Sequence, residues 1–293
     1  LITGPTPGGI GAETAVTLAR QDPKHLILAG RSEQKIQPLI DSINQDYPKT
    51  KTSFVIIDLG SQSSVRNAAQ EVKKLVEGDK IDVLILNAAI MACPYALTED
   101  GVESQFGTNH LGHFLFGNLL LKEDLVRSRV VIVSSSASER SVDYLRAPLR
   151  DLSYNSGKSY DPVLAYGVSK ASNVLYAKRL AKLLKQKNIA TFSLNPGSIK
   201  TNLQSYMSEE VREDMIQAAK EDNPNFVMPA LKTLQQGCAT QLRASLDPSL
   251  EVESGSYLDH CQVKALPEQK DHEAWVDEVW TVSEKLVGEK FEF

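Results

Sequence analysis

The chain has little sulfur, no excess of positive charge and no long apolar run, and each shortage narrows what it can be. Its three cysteines, Cys93, Cys238 and Cys261, are far apart and odd in number. They form neither a disulfide framework nor a metal-ligand spacing, which suits a reducing compartment. No stretch approaches the ~20 apolar residues of a membrane-spanning helix, so no span is expected in this chain. Lys and Arg number 32 against 37 Asp and Glu, a net charge of −5, which argues against general nucleic-acid binding. What is present is 293 residues, 42% hydrophobic and 24% charged. That suffices for a sizeable core in one α/β domain running the whole length. A cytoplasmic location is expected. The chain opens Leu1-Ile2-Thr3-Gly4, which reads as the inside of a first strand. Several residues are therefore expected to precede it, and with them any targeting or anchor segment.

Short apolar runs alternate with helical patterns. Strands are expected at 25–30, 53–58, 82–88, 129–135, 190–195 and 256–259, besides the opening one. Helices are expected at about 11–20, 34–46, 63–76, 101–121, 166–187 and 273–287. This alternation predicts a Rossmann-type doubly wound parallel sheet of about seven strands, covered on both faces. Two polar, charge-rich stretches break the rhythm at 139–165 and 201–229. Both follow strands, and ligands of open α/β sheets bind beyond the carboxyl ends of strands, so both are candidate pocket walls. The second is expected to form a mobile lid lined by Met207, Met215, Phe226 and Met228, although helix packing explains those residues equally well.

Thr3-Gly4-Pro-Thr-Pro-Gly8-Gly9-Ile10-Gly11 follows the first strand and opens a helix. Glycines let the backbone turn tightly and approach a pyrophosphate, and the helix N-terminus offers free N–H groups. Arg31 ends the second strand 20 residues after Gly11, where no acid is present. An acid there would bind the ribose 2′-hydroxyl of NAD, whereas arginine accommodates the 2′-phosphate of NADP. NADP is therefore the expected cofactor, with Lys35 a candidate second cation. Asp58, at the end of the third strand, is placed to accept from an adenine amino group.

Tyr-x-x-x-Lys occurs three times, at Tyr47/Lys51, Tyr154/Lys158 and Tyr166/Lys170. Pro48 interrupts the first and Gly157 the second, so only the third opens a helical pattern. On a helix the pair shares one face. A fixed cation beside a phenol favours the phenolate and lowers a pKa that is otherwise about 10.

Together these motifs resemble the short-chain dehydrogenase/reductase superfamily over nearly the whole chain. The glycine loop resembles its Thr-Gly-x-x-x-Gly-x-Gly with one residue more, and Asn87-Ala88-Ala89 its Asn-Ala-Gly stretch. Asn109 in Asn-His-Leu-Gly-His, Ser134-Ser135, the Tyr166/Lys170 pair and Asn195-Pro196-Gly197 with Thr201 match the remaining motifs in order. Asp151-Leu152, Lys170-Ala-Ser-Asn173 and the tail around Val279-Trp280 and Ser283 resemble retinol-dehydrogenase-like and WW-domain-oxidoreductase-like members, and in part protochlorophyllide reductases.

The resemblance implies hydride transfer between nicotinamide and a carbonyl or alcohol carbon, often on bulky apolar molecules. Tyr166 would be the acid, and Lys170 would lower its pKa and hold the ribose. Ser135 would donate to the substrate oxygen, and Asn109 would hold a water that relays protons through Lys170. Ser134 and Ser136 are rivals for the serine role. Ser135 is preferred because the family's serine is the second of the pair, and because alternation places Ser134 and Ser136 together on the other face. Gly4, Gly9, Ile10, Gly11, Leu59, Asn87 and Ala88 would contact the cofactor, as would Pro196, Gly197, Ile199 and Thr201. A homodimer through the helices of Asn109 and Tyr166 is the family expectation. His110 and His113 stand at i and i+3 without a third ligand at metal spacing, so they are read as core or surface residues. Two alternatives remain open: a nucleotide-sensing scaffold without catalysis, and reduction of an activated carbon–carbon double bond.

Overall fold

The computed structural model describes residues 1–141, 149, 151–222, 224–225, 227–266 and 272–293. One eight-stranded sheet runs in the order β3-β2-β1-β4-β5-β6-β7-β8. Its strands are β1 (Ile2–Thr3), β2 (His25–Gly30), β3 (Lys51–Ile56), β4 (Ile81–Leu86), β5 (Val126–Val133), β6 (Ala190–Asn195), β7 (Tyr257–Asp259) and β8 (Gln262–Lys264). The first seven pair in parallel, and β8 turns back antiparallel against β7. That eighth strand exceeds the seven expected. Its hairpin turns on His260 and Cys261, both left-handed at φ 48° and 60°, and its three residues carry no apolar run for a sequence pattern to detect.

The central strands are apolar on both faces because helices cover both. Alternation along β5 shows the division: Val130 and Ile132 enter one core, Val131 and Val133 the other. The first core lies under α3 (Gln62–Leu75), α5 (Gly112–Lys122), α7 (Pro162–Leu183) and α10 (His272–Val287). The second lies under α1 (Ile10–Ala19), α2 (Glu33–Asp46) and α9 (Leu234–Leu246). Strand order reverses between β1 and β4, and ligands of such sheets bind at this switch point.

The helix expected over 101–121 is broken. Glu103 caps a three-residue helix, α4 (Ser104–Phe106), its carboxylate accepting from the Gln105 and Phe106 amides at 2.8 Å. A π-helical turn, Gly107–Leu111, then leads into α5. Gly112 is required there, since a Cβ would lie 2.2 Å from the Leu59 carbonyl oxygen. Helix α9 is absent from the sequence reading because it buries Thr240, Gln241 and Ser245 rather than a clean apolar stripe. Its capping box, Thr233 with Gln236, was the legible signal. The second inserted stretch carries α8 (Glu209–Asp222). Most of the first lies outside the described residues or in turns after α6 (Ala137–Ser141).

The C-terminal helix packs on the helices that flank the site. Residues 165–177 of α7 are all buried, and α5 is buried apart from its end and Leu119. Trp280 of α10 packs against Phe114 at 5.0 Å and Tyr176 at 6.1 Å between ring centroids. The chain's own C-terminal helix thus packs against α5 and α7. No helix among the described residues is long and apolar enough to cross a membrane.

Trp280 is only 6% exposed at the centre of this contact. Trp280→Ala is expected to cost about 3–5 kcal/mol, read from the midpoint of urea unfolding.

Candidate active site

The glycine turn is built by two kinds of glycine. Gly4 (φ +67°) and Gly8 (φ +80°) take left-handed backbone that favours glycine. Gly4 and Gly11 also permit close packing: a Cβ on Gly4 would lie 2.7 Å from that of Ala88, and one on Gly11 2.5 Å from Asn87 Nδ2. Gly9 is the N-cap of α1 and leaves the helix start without a side-chain cap, so Ile10 and Gly11 open a first turn that can receive an anion. The turn accommodates its extra residue within the short bonds Thr6 N–H to Gly4 O and Gly9 N–H to Thr6 O.

Thr3 locks this turn to β4. Its Oγ1 accepts from the amides of Asn87 at 2.9 Å and Ala88 at 3.1 Å. Both lone pairs are then used, so the hydroxyl proton goes to His113 Nε2 at 2.9 Å. His113 must carry its own proton on Nδ1, which donates to the Asn109 carbonyl at 3.0 Å. Burial holds this ring neutral, its pKa lowered to about 3. His110 is likewise buried and neutral, lowered to about 4, with both nitrogens hydrogen-bonded to protein. These are core histidines. Asn87 Nδ2 donates to Thr3 O at 2.9 Å and Gly4 O at 3.3 Å, while its buried Oδ1 has no partner.

A cleft of about 2310 Å³ runs from this turn across the sheet switch point. It far exceeds the few hundred cubic ångströms of a single small-ligand pocket, so it has room for a dinucleotide and a second molecule. Arg31 and Lys35 are exposed on its rim, and Asp58 and Leu59 line its wall. Asp58 spends Oδ1 on the Gly60 amide at 2.9 Å. At the other end, Gly197 (φ +91°) turns the chain after β6, its amide held by Asn195 Oδ1 at 3.0 Å. Lys232, absent from the sequence reading, donates to the Pro196 carbonyl at 3.3 Å and pairs its strand segment with Ile199. Nothing marks a lone loop lysine as such a brace. Thr201 caps the short 3₁₀ helix Asn202–Tyr206 through a capping box with Gln204.

Tyr166, Lys170 and Ser135 meet at the cleft floor. Strand β5 ends at Val133, short of the expected Ser135, so alternation stops there. Ser134 is buried and donates to the Lys170 carbonyl at 2.7 Å, which removes it from the chemistry. Ser136 is exposed, not paired with Ser134 on one face. Ser135 and Tyr166 line the same cleft, and Ser135 lowers the tyrosine's pKa, so the structure brings the preferred serine and the tyrosine together.

In the free chain burial dominates the proton affinities of both members of the pair. Burial pushes Tyr166 up to about 12, opposed by Ser135. The Lys170 Nζ lies 5.7 Å from the centre of the tyrosine ring and donates to the Val133 carbonyl at 3.0 Å. Burial also drives Lys170 down to about 7. Desolvation outweighs mutual attraction because both groups are almost wholly enclosed. Asn109 is held firmly by its neighbours. Its amide is spent on Ile90 N–H and O, at 2.8 and 2.9 Å, and on Ser169 at 3.0 Å. Its carbonyl already accepts from His113 and from Asn173 Nδ2, the latter at 3.1 Å.

Apolar side chains in the cleft lining include Met91, Val163, Leu164, Leu203, Met207 and Met215. Met228 joins them, whereas Phe226 lies outside the described residues. Tyr160 and Glu139 also line the cleft and had no distinguishing sequence pattern. Tyr160 is braced by Gln105 Nε2 at 2.8 Å, and Glu139 is paired with Lys264 of β8 at 2.8 Å. Among the described residues no cluster of His, Cys, Asp and Glu can hold a metal.

The donor set fits a nicotinamide dinucleotide. There is an uncapped helix start, the unpartnered Asn87 Oδ1, and a buried ammonium with a single acceptor for its three N–H groups. A proton donor, a polarising hydroxyl and a cation beside such a site define a dinucleotide-dependent oxidoreductase. Residues 1–147 match the family model for short chain dehydrogenase. The chain is 34% identical to short-chain dehydrogenase TIC 32 B, chloroplastic, of Brassica napus, over 98% of this chain and 88% of that protein. It is also 34% identical to retinol dehydrogenase 14 of Mus musculus, over 98% of this chain and 85% of that one. A crystal structure of an uncharacterized protein from Mycobacterium Paratuberculosis superposes with a TM-score of 0.74 at 30% identity, covering 100% of this chain and 94% of that one. NADPH-bound carbonyl reductase from chicken fatty liver shares the fold at 19% identity, with a TM-score of 0.61 over 90% of this chain and 97% of that one. The chain belongs to the short-chain dehydrogenase/reductase family, in its retinol-dehydrogenase-like branch.

The buried lysine makes ligand-free stability depend on pH. The folded chain releases the Lys170 proton near 7, whereas the unfolded chain holds it to about 10.5. Between those values the unfolded state binds more protons, so the stability contributed by this group rises with pH. Denaturation midpoints of the ligand-free protein are expected to climb from pH 7 to 9.5, and Lys170→Met is expected to flatten that slope.

Proposed function

We propose that the chain is an NADP-dependent oxidoreductase that interconverts ketones or aldehydes with alcohols on bulky, largely apolar molecules. The observation that carries the reading is the convergence of Ser135, Tyr166 and the buried Lys170 on one cleft. Bound nicotinamide would supply or accept the hydride. The glycine turn with Ile10 would hold its pyrophosphate, and Lys170 its ribose hydroxyls. Asn87, Ala88, Pro196, Gly197, Ile199 and Thr201 would flank it. Arg31, with Lys35 behind it, would take the 2′-phosphate, while Asp58 and Leu59 bound the adenine side.

In reduction, Tyr166 gives its proton to the oxygen as negative charge grows there, and Ser135 donates a hydrogen bond to the same oxygen. The raised tyrosine pKa keeps the phenol protonated at neutral pH, which is the form that reduction requires. Segment 201–229 acts as the lid, with Leu203, Met207 and Met215 facing the reacting end. The name of the mouse relative, a retinol dehydrogenase, supports an apolar alcohol or aldehyde as substrate. A purely nucleotide-sensing role is disfavoured because serine, tyrosine and lysine are all present and assembled.

Turnover of NADPH with a panel of aldehydes, ketones and retinoids tests the reading. Tyr166→Phe is expected to lower kcat by about 10²–10⁴-fold while NADPH still binds. Retained turnover would overturn the assigned acid. Arg31→Ala is expected to weaken NADPH by about 10–100-fold with little change for NADH, the scale of one charge-assisted contact. Equal losses for both nucleotides in fluorescence titrations would remove the 2′-phosphate role.

A further inference from the structure

One wall of the cleft carries a polar network that the reaction above does not use. Glu139 follows Ser135 by four residues. The turn between them is fixed: the Ser138 amide and hydroxyl both donate to the Ser135 carbonyl, at 3.0 and 2.6 Å, and the Glu139 amide to the Ser136 carbonyl at 3.1 Å. Glu139 lines the cleft with its side chain 20% exposed. From β8, Lys264 Nζ donates to Glu139 Oε1 and Oε2 at 2.8 and 2.9 Å, and to Asp259 Oδ2 at 3.2 Å. Asp259 Oδ1 accepts from Asn195 Nδ2 at 3.1 Å, and Asn195 Oδ1 holds the Gly197 amide at 3.0 Å. The buried Tyr257 donates to Glu139 Oε1 at 3.4 Å. The carboxylate is thus tied to the serine loop on one side and to the turn after β6 on the other.

An ammonium has three N–H donors, and those of Lys264 are all spent. Both oxygens of Asp259 already accept. What the network still offers is acceptor capacity: Glu139 Oε2 takes one bond, and a carboxylate oxygen can take two. A ligand group there has to donate. Lys264 bridges both oxygens, so a second cation would stand against a like charge, whereas a neutral hydroxyl would not. Sheet order says which molecule brings that group. Arg31 follows β2, whereas Glu139 is tied to β7 and β8 at the opposite edge, beyond the strand that leads to Ser135. The group therefore belongs to the substrate and not to the adenine side of the dinucleotide. We propose that Glu139 is a specificity-determining residue. It accepts a hydrogen bond from a hydroxyl that the substrate carries apart from its reacting carbonyl, and Lys264 is the positioning residue that holds the carboxylate. This rests on the oxidoreductase reading above and narrows its substrate to a hydroxylated, otherwise largely apolar ketone or aldehyde.

The test uses acetophenones that differ in one ring substituent: ethyl, hydroxymethyl or dimethylaminomethyl, each at the para and meta positions. Binding to the NADP-loaded protein is read by calorimetry, and turnover with NADPH by absorbance. At one ring position the hydroxymethyl ketone is expected to bind about tenfold or more tighter than its ethyl partner, the scale of a hydrogen bond to a charged acceptor. The gain is expected in KM rather than in kcat. Glu139→Gln keeps an acceptor and is expected to shrink the preference to a few-fold, and Glu139→Leu to abolish it. Lys264→Met is expected to shrink it as well, because the carboxylate loses its fixed place. If the leucine variant does not fold, the glutamine variant carries the comparison. A role confined to bracing β8 would weaken all the ketones in parallel and leave their ratios unmoved. That result, or no preference for the hydroxyl in the parent, would overturn the proposal. Tighter binding of the dimethylaminomethyl ketone than of the hydroxymethyl one would overturn it too, since the site would then select a cation. Failure of the oxidoreductase reading would show separately, as undiminished turnover in Tyr166→Phe.

Discussion

The enclosure of the Lys170 ammonium is the constraint on which the site depends. Helix α7 is sandwiched between the sheet and α10, and the lysine on it is 1% exposed. A buried charge is costly unless it is hydrogen-bonded. Here one backbone carbonyl, that of Val133, is its acceptor. Burial therefore drives the lysine pKa down to about 7, and the same dryness raises that of the neighbouring tyrosine. The free site thus stores an unmet demand for hydrogen bonds that a dinucleotide's ribose can satisfy.

The surrounding framework keeps that demand pointed at the cleft. On the sheet side, Thr3 ties β1, β4 and His113 through one hydroxyl. Behind the lysine, Asn109, Asn173 and His110 satisfy one another, and Ser283 joins the chain to α10. Buried polar networks of this kind are favourable only when nearly complete, and the unpartnered side-chain oxygen of Asn87 stands out against it. The apolar contacts of Trp280 with Phe114 and Tyr176 make the same closure from the outside. The C-terminal helix therefore serves both packing and electrostatics.

Much of this was legible in the chain. Strand positions came within two or three residues because short β-rich runs buried on both faces are hard to mistake. The glycine turn and the Tyr166/Lys170 spacing identified both ends of the cleft, since each depends on local geometry. Features that depend on distant partners were not legible. The break before α5 follows from Glu103 capping a short helix and from Gly112 meeting the Leu59 carbonyl. Helix α9 hid behind polar buried residues, and β8 behind its brevity.

The sequence by itself determined the class of fold, and it offered the candidate acid, cation and serine and the arginine at the second strand's tip. These rest on residue type and on spacing along one element. Tertiary structure alone decided which serine meets the tyrosine, because β5 ends at Val133 and leaves Ser134 bound to the α7 backbone. It decided, too, that burial rather than charge pairing sets the proton affinities of Tyr166 and Lys170. Desolvation and hydrogen-bond partnership are properties of the packed interior, where residues far apart in the chain exclude water together.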